Sequence, residues 1–172
     1  MKKLKLYLDF DGVILDTINV TYKKLKELNI TDEEEILQYY RDIDWDLLLK
    51  ETDQINDSIS NIGKLLDSGL YDVEILTHVN SSLEGELKDN YIKGYFPHMK
   101  VNVVFKPTDK CEVVDPKDAI LVDDFMGNLD KWNKNGGIAI KFSDNNKTCK
   151  FKTVSNLGSL IDMYDDIMTL IK

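Results

Sequence analysis

Two aspartates two positions apart, in Asp9-Phe10-Asp11-Gly12-Val13, directly follow the apolar run Leu4-Lys5-Leu6-Tyr7-Leu8. At a strand end such a pair can face one space, and Gly12 lets the chain turn away tightly. One carboxylate of the pair can attack phosphorus and form an acyl phosphate. The other can protonate the leaving oxygen and later accept a proton from water. A second acidic pair, Asp123-Asp124, follows Ala119-Ile120-Leu121-Val122. Adjacent acids at the end of a buried strand are costly unless something positive offsets them. Magnesium, a hard cation that takes oxygen ligands and substrate phosphates, fits that need. Each motif alone also has a plainer reading: an acidic turn for the first, a helix cap beside a solvated neighbour for the second.

Other polar groups stand at the ends of apolar runs. Thr77 follows Val73-Glu74-Ile75-Leu76, and its hydroxyl could bond a phosphoryl oxygen. Lys106 and Lys110 both come after Val101-Asn102-Val103-Val104-Phe105, and either could offset the charge of a phosphorylated aspartate. His78 either touches the phosphate or packs beside it, and Asn128 either steadies the acidic loop or simply opens a helix. Tyr22, Tyr39, Tyr40 and Trp45 either stack on a planar group or form a miniature core.

The elements that must position these residues follow from apolar periodicity. Strands are expected at 4–8, 73–76, 101–105, 119–122 and 137–142, short runs rich in Val, Ile and Leu that suit a buried parallel sheet. Ser81-Ser82-Leu83-Glu84 has the form of a capping box and opens a helix to about Tyr91. Residues 127–134 form a shorter helix, and Leu160, Ile161, Tyr164, Ile167, Met168 and Ile171 define one final amphipathic helix. This alternation predicts an α/β, Rossmann-like parallel sheet flanked by helices, with ligands beyond the carboxyl ends of its strands. Residues 16–57 hold only helical patterns. They read as a small helical cap inserted after the first strand, leaving 1–15 and 58–172 as the core domain; a single long crossover is the alternative.

The 172 residues are 42% hydrophobic, enough for a packed core, and carry a net charge of −9, which argues against a nucleic-acid polymer as partner. Cys111 and Cys149 lack CxxC spacing, so a reduced compartment is expected. No apolar run approaches the roughly 18 residues of a membrane span, and no secretory leader is evident. The expectation is a cytoplasmic protein with no membrane partner. Oligomeric state is not encoded in any visible pattern.

The order of the motifs is more informative than any one of them. DxDGV, a strand-end Thr, a Lys after the next strand and DD after the following one resemble, over nearly the whole chain, the four motifs of the haloacid-dehalogenase (HAD) superfamily of phosphohydrolases. The resemblance implies Asp9 as nucleophile, Asp11 as general acid/base and Thr77 as the second motif. It also implies that Asp123 binds magnesium together with the Asp9 carboxylate and the Asp11 backbone carbonyl, with Asp124 supporting the metal. A narrower similarity is to the 5′(3′)-deoxyribonucleotidase branch, whose Thr-x-Asp-Lys-like segment matches Thr108-Asp109-Lys110 and favours Lys110 over Lys106. Thr77-His78-Val79 and Phe125 depart from that branch. The expected function is magnesium-dependent phosphomonoester hydrolysis through an aspartyl-phosphate. A small phosphorylated substrate follows, a nucleoside monophosphate first and a sugar phosphate or other metabolite second. A binding or regulatory protein of the same fold without turnover is a third reading, but it would not require both Asp9 and Asp11.

Overall fold

The structure, a computed structural model, describes residues 3–145 and 147–171. Its centre is a six-stranded sheet: β1 (Leu4–Leu8), β2 (Tyr71–Val79), β3 (Val101–Phe105), β4 (Ile120–Asp123), β5 (Ile138–Phe142) and β6 (Lys152–Val154). The order is β3-β2-β1-β4-β5-β6 and every pairing is parallel. Strands therefore run outward in both directions from β1, and the connections part between β1 and β4. That reversal opens a crevice beyond the carboxyl ends of these two strands.

Alternate residues of each strand feed two cores. Leu6, Leu8, Val73, Ile75, Ile120, Val122 and Ile140 share one cluster with helix α4 (Ser58–Asp67) through Ile59, Ile62 and Leu65. Tyr7, Leu76, Leu121 and Ala139 join Leu129 and Trp132 of helix α7 (Met126–Lys134) on the other face. Both faces are covered, which is why the strands lack polar alternation.

Between β1 and α4 lie three helices: α1 (Thr17–Glu27), α2 (Glu33–Asp42) and α3 (Trp45–Glu51). Asp32 accepts from the amides of Glu34 and Glu35 to start α2, and Asp44 accepts from that of Leu47 to start α3. The two connectors of this insert pair with each other, Asp16 N–H donating to Asp53 O at 3.1 Å and Ile55 N–H to Ile14 O at 3.0 Å. Trp45, Leu48 and Leu49 are buried in the main core, whereas α2 has no fully buried residue and packs half-buried Tyr40 against that core.

Four details differ from the sequence-based expectation. β2 runs to Val79, because β3 continues to pair with it through Thr77, His78 and Val79, so Thr77 lies within the strand. Helix α5 (Ser82–Tyr95) is a turn longer than expected. The three-residue edge strand β6 carries no apolar run that would announce it. The final helix is two short ones, α8 (Ser159–Asp162) and α9 (Tyr164–Met168). They are separated at Met163, where ψ is 0°, although Leu160, Tyr164 and Ile167 are buried as the periodicity requires. Among the described residues, no helix is long and apolar enough to cross a membrane.

Candidate active site

Asp9 is the first residue beyond β1, and its amide bonds Val122 O of the neighbouring strand at 2.9 Å. Its carboxylate is thereby fixed at the crevice floor. Lys110 stands at the start of helix α6 (Lys110–Val113), one turn capped by Asp109 and Glu112. Its buried ammonium bonds Asp9 Oδ1 at 2.8 Å and Asp123 Oδ2 at 2.6 Å. Of the two candidate lysines, Lys110 meets the acids; Lys106 lines the cavity wall above them.

Asp123, at the last position of β4, is fully buried. Its Oδ1 accepts from the amide of Phe125 at 2.8 Å, and its Oδ2 accepts from Asn128 Nδ2 at 2.9 Å besides Lys110. Asn128, in the first turn of α7, therefore steadies the acidic loop. Asp124 differs: its backbone carbonyl accepts from Lys141 Nζ, while its carboxylate has no donor among the described residues and faces the cavity. Gly12 makes room for it. A Cβ at Gly12 would lie 2.4 Å from Asp124 Oδ2, and the glycine also sits at φ +74°.

Asp9, Asp123 and Asp124 each offer an oxygen, all within 4.8 Å of one another. Burial, then the charge of Asp123, pushes the Asp9 carboxyl well above its usual pKa, against the pull of Lys110. The same two causes push Asp124 up to about 7. Burial opposes charge on Lys110 too, but Asp123 and Asp9 outweigh it and hold its pKa above the ordinary lysine value. Three carboxylates around one shared ammonium leave surplus negative charge in a place with little water. A hard divalent cation fits both the donor set and the charge.

Asp11 lies on the opposite wall. Its Oδ1 accepts from Thr17 Oγ1 at 2.6 Å, and its Oδ2 accepts from Lys88 Nζ at 2.5 Å. Lys88 comes from α5, has no exposed surface, and also donates to Glu84 Oε1 at 2.6 Å and His78 O at 3.2 Å. Burial disfavours its charge, yet Asp11 and Glu84 raise its pKa overall. Glu84 in turn accepts from the Asn80 amide at 2.8 Å. Neither Lys88 nor Asn80 is prominent in the sequence. Lys88 mimics an exposed Glu-Lys pair at i, i+4. Its one signal is that it shares a helix stripe with Gly85 and Ile92, both buried.

Thr77 is fully buried and donates to the carbonyl of His78 at 3.3 Å. It is not among the residues lining the cavity; His78 and Asn80 are. His78 Nε2 pairs with Thr108 O at 2.9 Å, and burial, with Lys110 nearby, keeps the imidazole below its usual pKa despite that bond. The cavity holds about 540 Å³, and Tyr22, Tyr40 and Trp45 of the insert and Phe125, just before α7, line it. Tyr39 does not line it; its ring packs edge-on to Tyr40 at 5.6 Å.

No sequence-family model matches the chain, and no curated protein matches it. Solved structures do. A HAD-superfamily hydrolase, subfamily IA, from Geobacter sulfurreducens aligns with TM-score 0.63 at 14% identity, covering 94% of this chain and 100% of that one. The putative HAD-hydrolase YfnB from Bacillus subtilis, described as bound to magnesium and as revealing interdomain movement, gives TM-score 0.63 at 14% identity, with 96% and 100% covered. A HAD phosphatase from Thermococcus onnurineus gives 0.57 at 18% identity, with 94% and 97% covered. At these identities the likeness establishes the fold: a HAD-like α/β sheet flanked by helices.

Proposed function

We propose that the chain hydrolyses a phosphomonoester with Asp9 as nucleophile. The observation that carries this reading is the Asp9 carboxylate at the end of the central strand, bonded to a buried lysine and flanked by two further carboxylates on a cavity floor. Lys110 holds Asp9 Oδ1, which leaves Oδ2 to attack phosphorus in line with the leaving oxygen. As the Oδ2–phosphorus bond forms and the ester bond breaks, Asp11, entering the step protonated on Oδ1 with the Thr17 hydroxyl turned to accept and Lys88 still bonded to Oδ2, gives that proton to the departing oxygen. Water then attacks the phosphorus of the aspartyl-phosphate while Asp11 takes a proton back, releasing inorganic phosphate and restoring Asp9. The Lys110 ammonium offsets charge on the phosphoryl oxygens throughout. Thr77 joins this reading from the sequence pattern alone; its hydroxyl would exchange the His78 carbonyl for a phosphoryl oxygen.

Magnesium would be held by Asp9, Asp124 and the Asp11 backbone carbonyl. Asp123, whose oxygens also accept bonds from Lys110, Asn128 and Phe125, would complete that donor set from the crevice floor. When bound, the ion supplies charge neutralisation between the attacking carboxylate and the phosphate. The magnesium described for the Bacillus subtilis structure supports this assignment. A structure described as a dehalogenase also shares the fold, with TM-score 0.60 at 16% identity. Phosphate chemistry is favoured over dehalogenation here because Asp11 supplies the proton that an oxygen leaving group needs and a halide does not.

The insert of α1 to α3 serves in this reading as the cap over the site, and its aromatic side chains favour a nucleoside monophosphate. A sugar phosphate is the second candidate: a D,D-heptose 1,7-bisphosphate phosphatase from Burkholderia thailandensis is among the structural neighbours, with TM-score 0.54. The test is phosphate release from nucleoside monophosphates, sugar phosphates and an aryl phosphate, with magnesium, with chelator, and with Asp9→Asn. Magnesium-dependent release lost in Asp9→Asn supports the chemistry, and the ranking selects the substrate class. Release that persists in Asp9→Asn overturns it.

A further inference from the structure

Lys88 is the most deeply buried cation outside the acid cluster, and the phosphatase chemistry above makes no use of it. An ammonium with no solvent exposure needs a purpose for its partners, because desolvating a charge costs several kcal/mol or more unless its hydrogen bonds are well made. Here they are. Asp11 Oδ2 at 2.5 Å, Glu84 Oε1 at 2.6 Å and His78 O at 3.2 Å take its three protons. The rings of Trp45 and Phe10 close over it, with centroids at 4.8 and 5.5 Å.

This arrangement has a direction. Glu84, 1% exposed, is tied to the loop after β2 through the Asn80 amide at 2.8 Å and Asn80 Nδ2 at 3.2 Å. Lys88 carries that anchorage across to Asp11, whose other oxygen is held by Thr17 at the start of α1. Asp11 is thus fixed from both sides, by Lys88 of helix α5 and by the first residue of α1. Trp45, on α3, packs its face on the same ammonium and donates from Nε1 to Tyr40 O at 3.0 Å, and Tyr40 lines the cavity.

We infer that Lys88 is a positioning residue that acts through Asp11, holding its carboxylate at the angle from which a proton reaches the leaving oxygen. The inference rests on the phosphatase reading. Lys88 touches neither substrate nor phosphate; its effect belongs to proton delivery. Such an effect depends on the leaving group. An alkoxide needs the proton in order to depart, whereas a nitrophenolate departs without it. Displacing a catalytic group by about 1 Å can cost roughly 10²-fold in rate, and that loss should fall on alkyl phosphates.

The experiment compares wild type, Lys88→Met and Lys88→Met/Glu84→Gln on p-nitrophenyl phosphate and on the best alkyl phosphomonoester of the panel. The double variant also neutralises Glu84, the more deeply buried of the two acids that Lys88→Met leaves unpaired, so the test stands even where the single variant fails to fold. The expected result is a fall in kcat of roughly 10²-fold on the alkyl ester, less than about 10-fold on the aryl ester, and KM unchanged within a few-fold. In an Asp11→Asn background the same changes should add little. Equal losses on both esters, or none, in folded protein overturn the positioning role while the phosphatase reading stands. A wild type that hydrolyses neither ester, or release that persists in Asp9→Asn, removes the reading and the inference together, whereas Asp9-dependent release with equal losses on both esters removes the inference alone.

Discussion

At the scale of single residues the site is an electrostatic conflict. Asp9, Asp123 and Asp124 crowd within reach of one another, and among the described residues Lys110 is the one cation that bonds two of them. Asp124 shows the consequence, with burial and then Asp123 raising its pKa to about 7 from an ordinary 3.8. A carboxyl whose folded-state pKa lies above its unfolded value favours the fold when protonated, so its contribution is lost as pH rises between those two values. A cation that needs the ionised carboxylate competes with this proton. Magnesium should therefore raise the thermal midpoint more at about pH 8 than at about pH 5.5. Asp124→Asn should flatten that difference, and differential scanning fluorimetry with and without chelator measures it. An equal magnesium effect at both pH values in wild type would contradict the cavity-facing role of Asp124. The sequence shows Asp9, Asp11, Asp123 and Asp124 because each pair follows an apolar run that marks a strand end, whereas spacing leaves Lys110 level with Lys106 and the resemblance alone favours it. It hides Lys88 and Asn80 because their importance comes from contacts across 77 residues in one case and from a backbone amide in the other.

At the scale of elements, the turn after β1 and the start of the insert hold the site together. Gly12 works there twice: its φ of +74° avoids left-handed strain, and its missing Cβ leaves space for Asp124 Oδ2. Gly12→Ala should cost about 1–2 kcal/mol from backbone strain alone. The displaced Asp124 carboxylate should weaken magnesium binding as well. Urea unfolding and a magnesium titration of activity check the two effects separately. The insert joins the main core, since Trp45 is buried at 4% exposure whereas Tyr22, also on the cavity, is 61% exposed. Trp45→Ala should thus destabilise the whole protein by about 3–5 kcal/mol. Tyr22→Ala should leave stability within about 0.5 kcal/mol and raise KM instead. A Tyr22→Ala variant with unchanged KM for every substrate would remove that ring from the substrate site. The insert's helices are visible in the sequence as apolar periodicity without strands. The edge strand β6 and the break at Met163 are not, because short edge pairing and a local change of ψ leave no mark on that periodicity.

At the scale of the whole molecule, the strand order explains why residues from four separate regions meet. Reversal of direction between β1 and β4 brings Asp9 and Asp11 from the first strand end beside Asp123 and Asp124 from the fourth. The crossovers to β2 and β3 add His78, Asn80 and Lys110 from the other side. Alternating strand and helix patterns make the parallel sheet readable before any coordinates are known, but the order of its strands is not, because apolar periodicity carries no mark of which strands become neighbours. The central claim, that Asp9 becomes covalently phosphorylated, is tested most directly by acid-quenching Asp11→Asn protein during turnover of its best substrate. Peptide mapping by mass spectrometry then locates the phosphoryl group. The prediction is one phosphoryl group on the peptide containing Asp9, absent from the Asp9→Asn/Asp11→Asn protein. Continued phosphate release with Asp9 unmodified, or a phosphoryl group on another residue, would contradict the account.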